Sequence, residues 1–156
     1  SNPDGFSTDN PRYPVVDAQM VPGCVQQPRV PLAIAAAGPK TIALAAARGD
    51  AWVTEGDPRN PEPTSDTVAE AMRRQMQTFH RACADVGRDP HSMDRIFLLS
   101  NRAERPLADL ATFEEFVERY TDLGFTDLVI HDPRPHDPFW DDDPAMIEQI
   151  AARFLP

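Results

Sequence analysis

The residues best placed to do chemistry gather between Val30 and Glu55, in the string VPLAIAAAGPKTIALAAARGDAWVTE. An apolar run from Val30 to Ala37 feeds a Gly-Pro turn at Gly38 and Pro39. An Ala-rich segment closed by Gly49 follows, then a second short apolar run around Trp52. That order reads as a βαβ unit. A helix opening at Pro39 leaves its first backbone N–H groups unpaired and turns its positive dipole end toward whatever lies above the first strand. Such an end suits a phosphate group. A plain strand-to-helix turn has the same residues, so both readings stand at this point.

A second set of reactive groups follows Asp127. His131 and Asp132 are trailed by His136, Asp137, Asp141, Asp142 and Asp143, and imidazole with carboxylates is the material of metal sites and proton relays. The spacing matches no recognised metal motif, and most of these aspartates precede a proline or cap a helix. His80 and Cys83 share a helix face at i, i+3, beside a packing stripe, which reads as core flank rather than zinc ligation. No Ser/His/Asp triad, P-loop, CxxC pair or GxGxxG occurs.

Composition excludes several function classes. The chain has 156 residues and a net charge of −10, so no cationic footprint is available for nucleic acid or an anionic membrane. No run of 18 apolar residues is present to span a bilayer, and no signal-peptide pattern opens the chain. Cys24 and Cys83 lie far apart without metal spacing and read as free thiols of a cytoplasmic protein.

The elements that must position these groups are short. Residues 1–29 are rich in Pro, Asp, Asn and Ser and are expected to form an irregular lead-in, with an extended piece at Tyr13 to Val16. Residues 30–156 form one domain. Strands are expected at Val30 to Ala36, Ala51 to Thr54, Arg95 to Leu99 and Asp127 to His131, each apolar as in a parallel sheet buried on both faces. Helices are expected from Pro39 to about Ala47, from Ser65 to Val86 with a Ser65 or Asp66 cap, and from Thr112 to Leu123. A last helix starts at an Asp143 cap and Pro144. Apolar stripes run along them: Val68, Met72, Met76, Phe79 and Cys83; then Phe113, Phe116, Val117 and Tyr120; then Met146, Ile147, Ile150, Ala151 and Phe154. The fold class is α/β, four parallel βα units in sequence order, equal to half of an eight-stranded barrel.

The string at 30–55, with its Ala-Gly-Pro turn, closely resembles the luciferase-like monooxygenases, FMN- or F420-dependent oxidoreductases built on a TIM barrel. Pro22 to Gln26 with Pro28 to Pro31 look like that family's lead-in, Tyr120 to His131 like its last helix-to-strand passage, and Pro133 to Trp140 with the following helix like its C-terminal end. Complete barrels need about 250 residues, so the resemblance implies the C-terminal (βα)4 half. It also implies a flavin-type cofactor, F420 or FMN, and a small organic substrate. Arginine at nearly every basic position, with Lys40 the only lysine, suggests a high-GC genome and tilts the choice toward F420. In relatives the positions of Ala37, Gly38 and Thr41 lie near the cofactor phosphate. With Ala36, Thr54 and Glu55 at the same strand ends, they are the candidate cofactor-binding residues, and no catalytic residue or metal ligand is assigned. Trp52, in an Asp-Ala-Trp version of the family's Asp-Gly-Trp, is expected in the core. Glu55 is either a polar site residue or an exposed loop carboxylate. Arg102 and Arg105, beyond the third strand, are candidates for pairing with an anionic cofactor tail, or are solvated loop arginines.

A half barrel exposes two strand edges and an apolar face. The chain is therefore expected either to pair with a second copy or a companion half-barrel chain, or to have been cut from a longer polypeptide. The competing reading is a catalytically silent half-barrel fragment or assembly module that self-associates.

Overall fold

In a computed structural model that describes residues 5–19, 21–100, 103–134 and 136–154, the chain divides into two units, Ser1–Pro31 and Leu32–Pro156. The first is not wholly irregular. β1 (Phe6–Thr8) and β2 (Val15–Ala18) pair as an antiparallel hairpin with Phe6 opposite Ala18. The Asn10 side chain closes its turn by accepting the N–H groups of Arg12 and Tyr13 at 2.9 and 3.2 Å. Strands of three and four residues with mostly exposed side chains leave no alternation to read.

The larger unit is the expected four-stranded parallel sheet in sequence order. Its strands are β3 (Ala33–Ala35), β4 (Ala51–Thr54), β5 (Asp94–Leu98) and β6 (Asp127–Val129). The helices are α1 (Pro39–Arg48), α2 (Ser65–Asp85), α3 (Leu110–Asp122) and α4 (Ala145–Phe154). This is an α/β architecture compatible with half of a (β/α)8 barrel. No helix among the described residues is long and apolar enough to cross a membrane.

β3 is shorter than expected because pairing starts only at Leu32, whose carbonyl accepts the N–H groups of Asp50 and Ala51. Pro31 before it has no N–H to give. The N–H of Leu32 goes to the Asp50 carboxylate at 2.7 Å. α2 begins one residue off the expected cap. Thr64 caps it through a reciprocal box with Thr67, while Ser65 donates to the Ala103 carbonyl at 2.8 Å. Asp109 accepts the Thr112 N–H at 2.8 Å and starts α3 two residues early. Asp143 accepts the Ala145 N–H at the head of α4, as expected.

The core lies between the sheet and α1 to α3. Trp52 stacks on Phe79 at 4.8 Å, and Phe97 meets Tyr120 at 4.5 Å and Phe116 at 5.9 Å. The whole expected α2 stripe is buried. In the α3 stripe Phe116 and Tyr120 are buried, while Phe113 and Val117 are half-buried. The α4 stripe departs from expectation: none of its described residues is fully buried, and Phe154 is 45% exposed. That helix meets α3 through the Phe113–Phe154 ring contact and an Arg153–Glu114 ion pair at 2.9 Å.

The other face of the sheet is apolar and only partly covered. Ala35, Val53 and Ile96 lie in register across it and Asp127 ends their row, with Leu98 and Val129 in the next row. In a closed barrel those residues fill the lumen.

Candidate functional site

The mouth of the sheet is built where β3 gives way to α1. The Ala36 N–H donates to the Val53 carbonyl at 2.8 Å, and the buried Trp52 indole N–H donates to the Ala36 carbonyl at 2.8 Å. Those two bonds fix the direction in which Ala37 and Gly38 leave the sheet. Gly38 is the N-cap of α1, with φ −99° and ψ 157°, and Pro39 occupies the first turn. The first helical bond runs from the Ile42 N–H to the Gly38 carbonyl at 2.9 Å. The N–H groups of Lys40 and Thr41 therefore have no intrahelical partner, no side chain caps them, and the first turn holds no acid.

Gly38 is not required by its backbone angles, which any residue adopts. What its missing side chain leaves is room: an added Cβ would meet only the Thr41 hydroxyl, at 3.8 Å. The hydroxyl donates to the Gly38 carbonyl at 3.0 Å, so its proton is already engaged while the two amides are not.

Five of the six candidate residues line one cleft of about 270 Å³, namely Ala36, Ala37, Thr41, Thr54 and Glu55, together with Leu98 of β5. Gly38 lines an adjoining cleft of about 440 Å³, which shares Ala37 with the first. Thr54 is 3% exposed, and its hydroxyl donates to Gln75 Oε1 at 2.6 Å. Gln75 Nε2 donates in turn to the Gly56 carbonyl at 2.8 Å. Thr54 thus holds the loop after β4, where Gly56 takes a φ of +102° that disfavours any side chain. Glu55 is exposed at the rim.

No family model and no curated protein matches this sequence. In structure the chain is similar to an F420-dependent secondary alcohol dehydrogenase solved with an F420-acetone adduct. The TM-score is 0.60 at 14% identity, over 82% of this chain and 50% of that one. It is also similar to the coenzyme F420-dependent tetrahydromethanopterin reductase from Methanopyrus kandleri, with a TM-score of 0.54 at 11% identity, over 78% of this chain and 49% of that one. The chain spans about half the length of both. At these identities the likeness shows the fold.

The other sequence candidates are drawn into structural roles. The His131 ring is half-buried and stacks on Trp140 at 4.1 Å. Asp137 accepts the Phe139 N–H at 2.8 Å, and Asp142 pairs with Arg105 at 2.5 Å. Among the described residues no three His, Cys, Asp or Glu groups gather to hold a metal. His80 is exposed on α2, where partial desolvation of its ring, and then the charges of His91 and Arg95, lower its imidazole pKa. The Cys83 thiol is buried, which pushes its pKa up. Asn101 and Arg102 lie outside the described residues. Arg105, the other candidate for an anionic tail, already has its carboxylate partner.

Sequence reasoning missed two features. Glu104, 8% exposed, accepts the Tyr120 hydroxyl at 2.7 Å and Arg119 Nη1 at 3.1 Å. Burial, and then the Glu104 hydrogen bond, push the Tyr120 hydroxyl far above its ordinary pKa. This trio locks the loop after β5 onto α3. The second feature is a pair of arginines, Arg59 and Arg74, on the cleft beside Gly38. Hydrogen bonds from Arg59 hold the Asp57 carboxyl below the usual range.

Proposed function

We propose that this chain is the phosphate-binding half of a cytoplasmic F420-dependent oxidoreductase of the luciferase-like kind, residues 30–156 forming its (βα)4 unit. The observation that carries the reading is the uncapped start of α1 at the mouth of the parallel sheet. The residues fit a phosphate: two unpaired amides, a glycine that leaves the approach open, and the Lys40 side chain in the same turn. Ala36 and Ala37 form the apolar wall, Gly38 and Thr41 receive the phosphate, and Thr54 and Glu55 shape the opposite side. When bound, the deazaflavin supplies hydride-transfer chemistry toward a small organic substrate. F420 is preferred to FMN because both similar structures are named as F420-dependent.

Replacing Gly38 with Asp tests the site directly. Asp is at least as good an N-cap as Gly, and φ −99° suits it, so the melting temperature should hold or rise slightly. The new carboxylate would sit on the two amides and repel a phosphate. F420 affinity, read by fluorescence titration, is expected to fall about tenfold or more. Unchanged affinity in a folded Gly38→Asp protein would move the phosphate elsewhere.

The second reading, an assembly module, is favoured by the half-covered lumen face and the half-exposed α4 stripe. Both readings need a partner, either a second copy or a companion half-barrel chain that pairs with the outer edges of β3 and β6. Light scattering on the isolated chain is expected to give a mass above 17.3 kDa. A stable monomer that exposes no apolar surface to a dye would rule out closure by a second copy.

A further inference from the structure

The connection from β6 to α4 is folded on itself. The Arg134 N–H donates to the Trp140 carbonyl at 2.7 Å, the Asp137 N–H to the Arg134 carbonyl at 3.1 Å, and the Phe139 N–H to Asp137 Oδ1 at 2.8 Å. Bonds of this kind let the loop move as one piece. None of the described residues of α4, which follows it, is fully buried. Segments with so little buried surface open locally while the rest of a domain stays folded.

The loop is closed onto the strand ends by a charge pair and a ring stack. Asp142 Oδ1 accepts Arg105 Nη2 at 2.5 Å, and Trp140 lies on His131 at 4.1 Å with 26° between the ring planes. Asp142 is 12% exposed, so water screens the pair less than it would on an open surface. The arginine also stands on a firm base. Glu104, the residue before it, is fixed to α3 by the Tyr120 hydroxyl and by Arg119.

His131 is what the loop covers. It lies just past β6, at the strand ends where barrels of this kind carry their chemistry. Among the described residues no hydrogen bond engages either ring nitrogen, so stacking places the imidazole and leaves its polar atoms unused. Trp140 and Phe139 share with Leu99, Leu107 and Ile130 a corner of only about 10 Å³. That space holds about one water and no larger ligand. We propose that the connection from β6 to α4 is a latched strap. With Arg105 and Asp142 paired, Trp140 shuts the corner between β5 and β6; when the pair parts, the strap lifts as a unit and bares the His131 imidazole with the apolar corner beside it. The inference does not depend on the phosphate site proposed above.

The test is the rate at which diethyl pyrocarbonate modifies each histidine of the full chain, read by mass spectrometry. His80, His91 and His136 are exposed and serve as internal standards. In the unaltered chain His131 is expected to react about tenfold more slowly than they do. Arg105→Gln should speed His131 about three- to tenfold and leave His80 and His91 as they were. Asp142→Asn should do the same, and the two changes together should add nothing further. Exchanging the partners, Arg105→Asp with Asp142→Arg, should restore part of the protection. On the unaltered chain, salt at about 1 M should also speed His131, a reading that requires no variant to fold. His131 reacting as fast as His136 in the unaltered chain overturns the strap. A rate indifferent to both salt and Arg105→Gln overturns the latch, and acceleration of all four histidines alike shows general loosening and overturns the strap as a local unit.

Discussion

Replacing Trp52 with Ala is expected to cost the larger unit about 3–5 kcal/mol, the range for removing a buried aromatic. That is a large part of the total stability of an ordinary domain. Trp52 is fully buried, stacks on Phe79 at 4.8 Å and sits 5.9 Å from Phe125. It is therefore the ring through which β4 packs on α2. Its indole N–H also holds the Ala36 carbonyl, and so aims the residues that lead to Gly38. Trp52→Phe separates the two roles. It keeps most of the ring contact and leaves the Ala36 carbonyl unpaired, for a cost of about 1–3 kcal/mol. Urea unfolding of the three proteins checks the order. A Phe variant as stable as the original would show that the indole bond contributes nothing, and an Ala variant within 1 kcal/mol would remove Trp52 from the core account.

The α2 and α4 stripes explain how much of the fold was legible. Both carry apolar residues at helical spacing, yet Val68, Met72, Met76, Phe79 and Cys83 are buried while Met146, Ile147 and Ile150 are half-buried. Periodicity states which face of a helix is apolar. It does not state whether another layer arrives to cover that face. The same holds for the sheet: short apolar runs marked strands buried on both faces, and did not state what covers Ala35, Val53 and Leu98, which are exposed or half-buried. Cap choice had a different limit. Thr64, Ser65 and Asp66 are all good caps, and the contest is decided by the Thr67 side chain that reciprocates with Thr64 and by the Ala103 carbonyl that takes up Ser65.

The candidate site was legible where it is local. Gly38, Pro39 and Thr41 are neighbours in sequence, so the strand-to-helix turn and its unpaired amides could be read directly. Thr54 looked like an open hydroxyl until Gln75, 21 positions away, took its proton. Arg105 looked available until Asp142, 37 positions on, paired with it. Arg59 and Arg74 come together from a loop and a helix, and nothing in their spacing marks a shared cleft. Charge pairing across long sequence separations is what a single sequence leaves undetermined, and it decides which polar groups are left for a ligand.

Arg95 shows the same point at the opposite end of the strands, and its replacement by Met is expected to cost about 3–5 kcal/mol. The side chain is 8% exposed at the start of β5. Nε donates to the Gly124 carbonyl at 2.6 Å, and Nη1 donates to those of Pro90 and Met93 at 2.9 and 2.7 Å. No carboxylate among the described residues pairs with it; three carbonyl dipoles hold the charge. They belong to the turn before β5 and the loop before β6, so one guanidinium ties together the approaches to two strands. Met fills similar volume and leaves all three carbonyls unpaired, each a cost of about 1–3 kcal/mol before water reaches them. A fall in melting temperature of roughly 10 °C or more should follow. Lys has a single ammonium that cannot span all three acceptors, and should recover only part of the loss. Because these contacts lie at the N-terminal ends of the strands, where barrels carry stability rather than chemistry, F420 affinity measured well below the transition should stay within about twofold of the original. Melting unchanged in Arg95→Met would show that those carbonyls find other donors. Lost affinity in a folded variant would show that the two ends of the sheet are coupled.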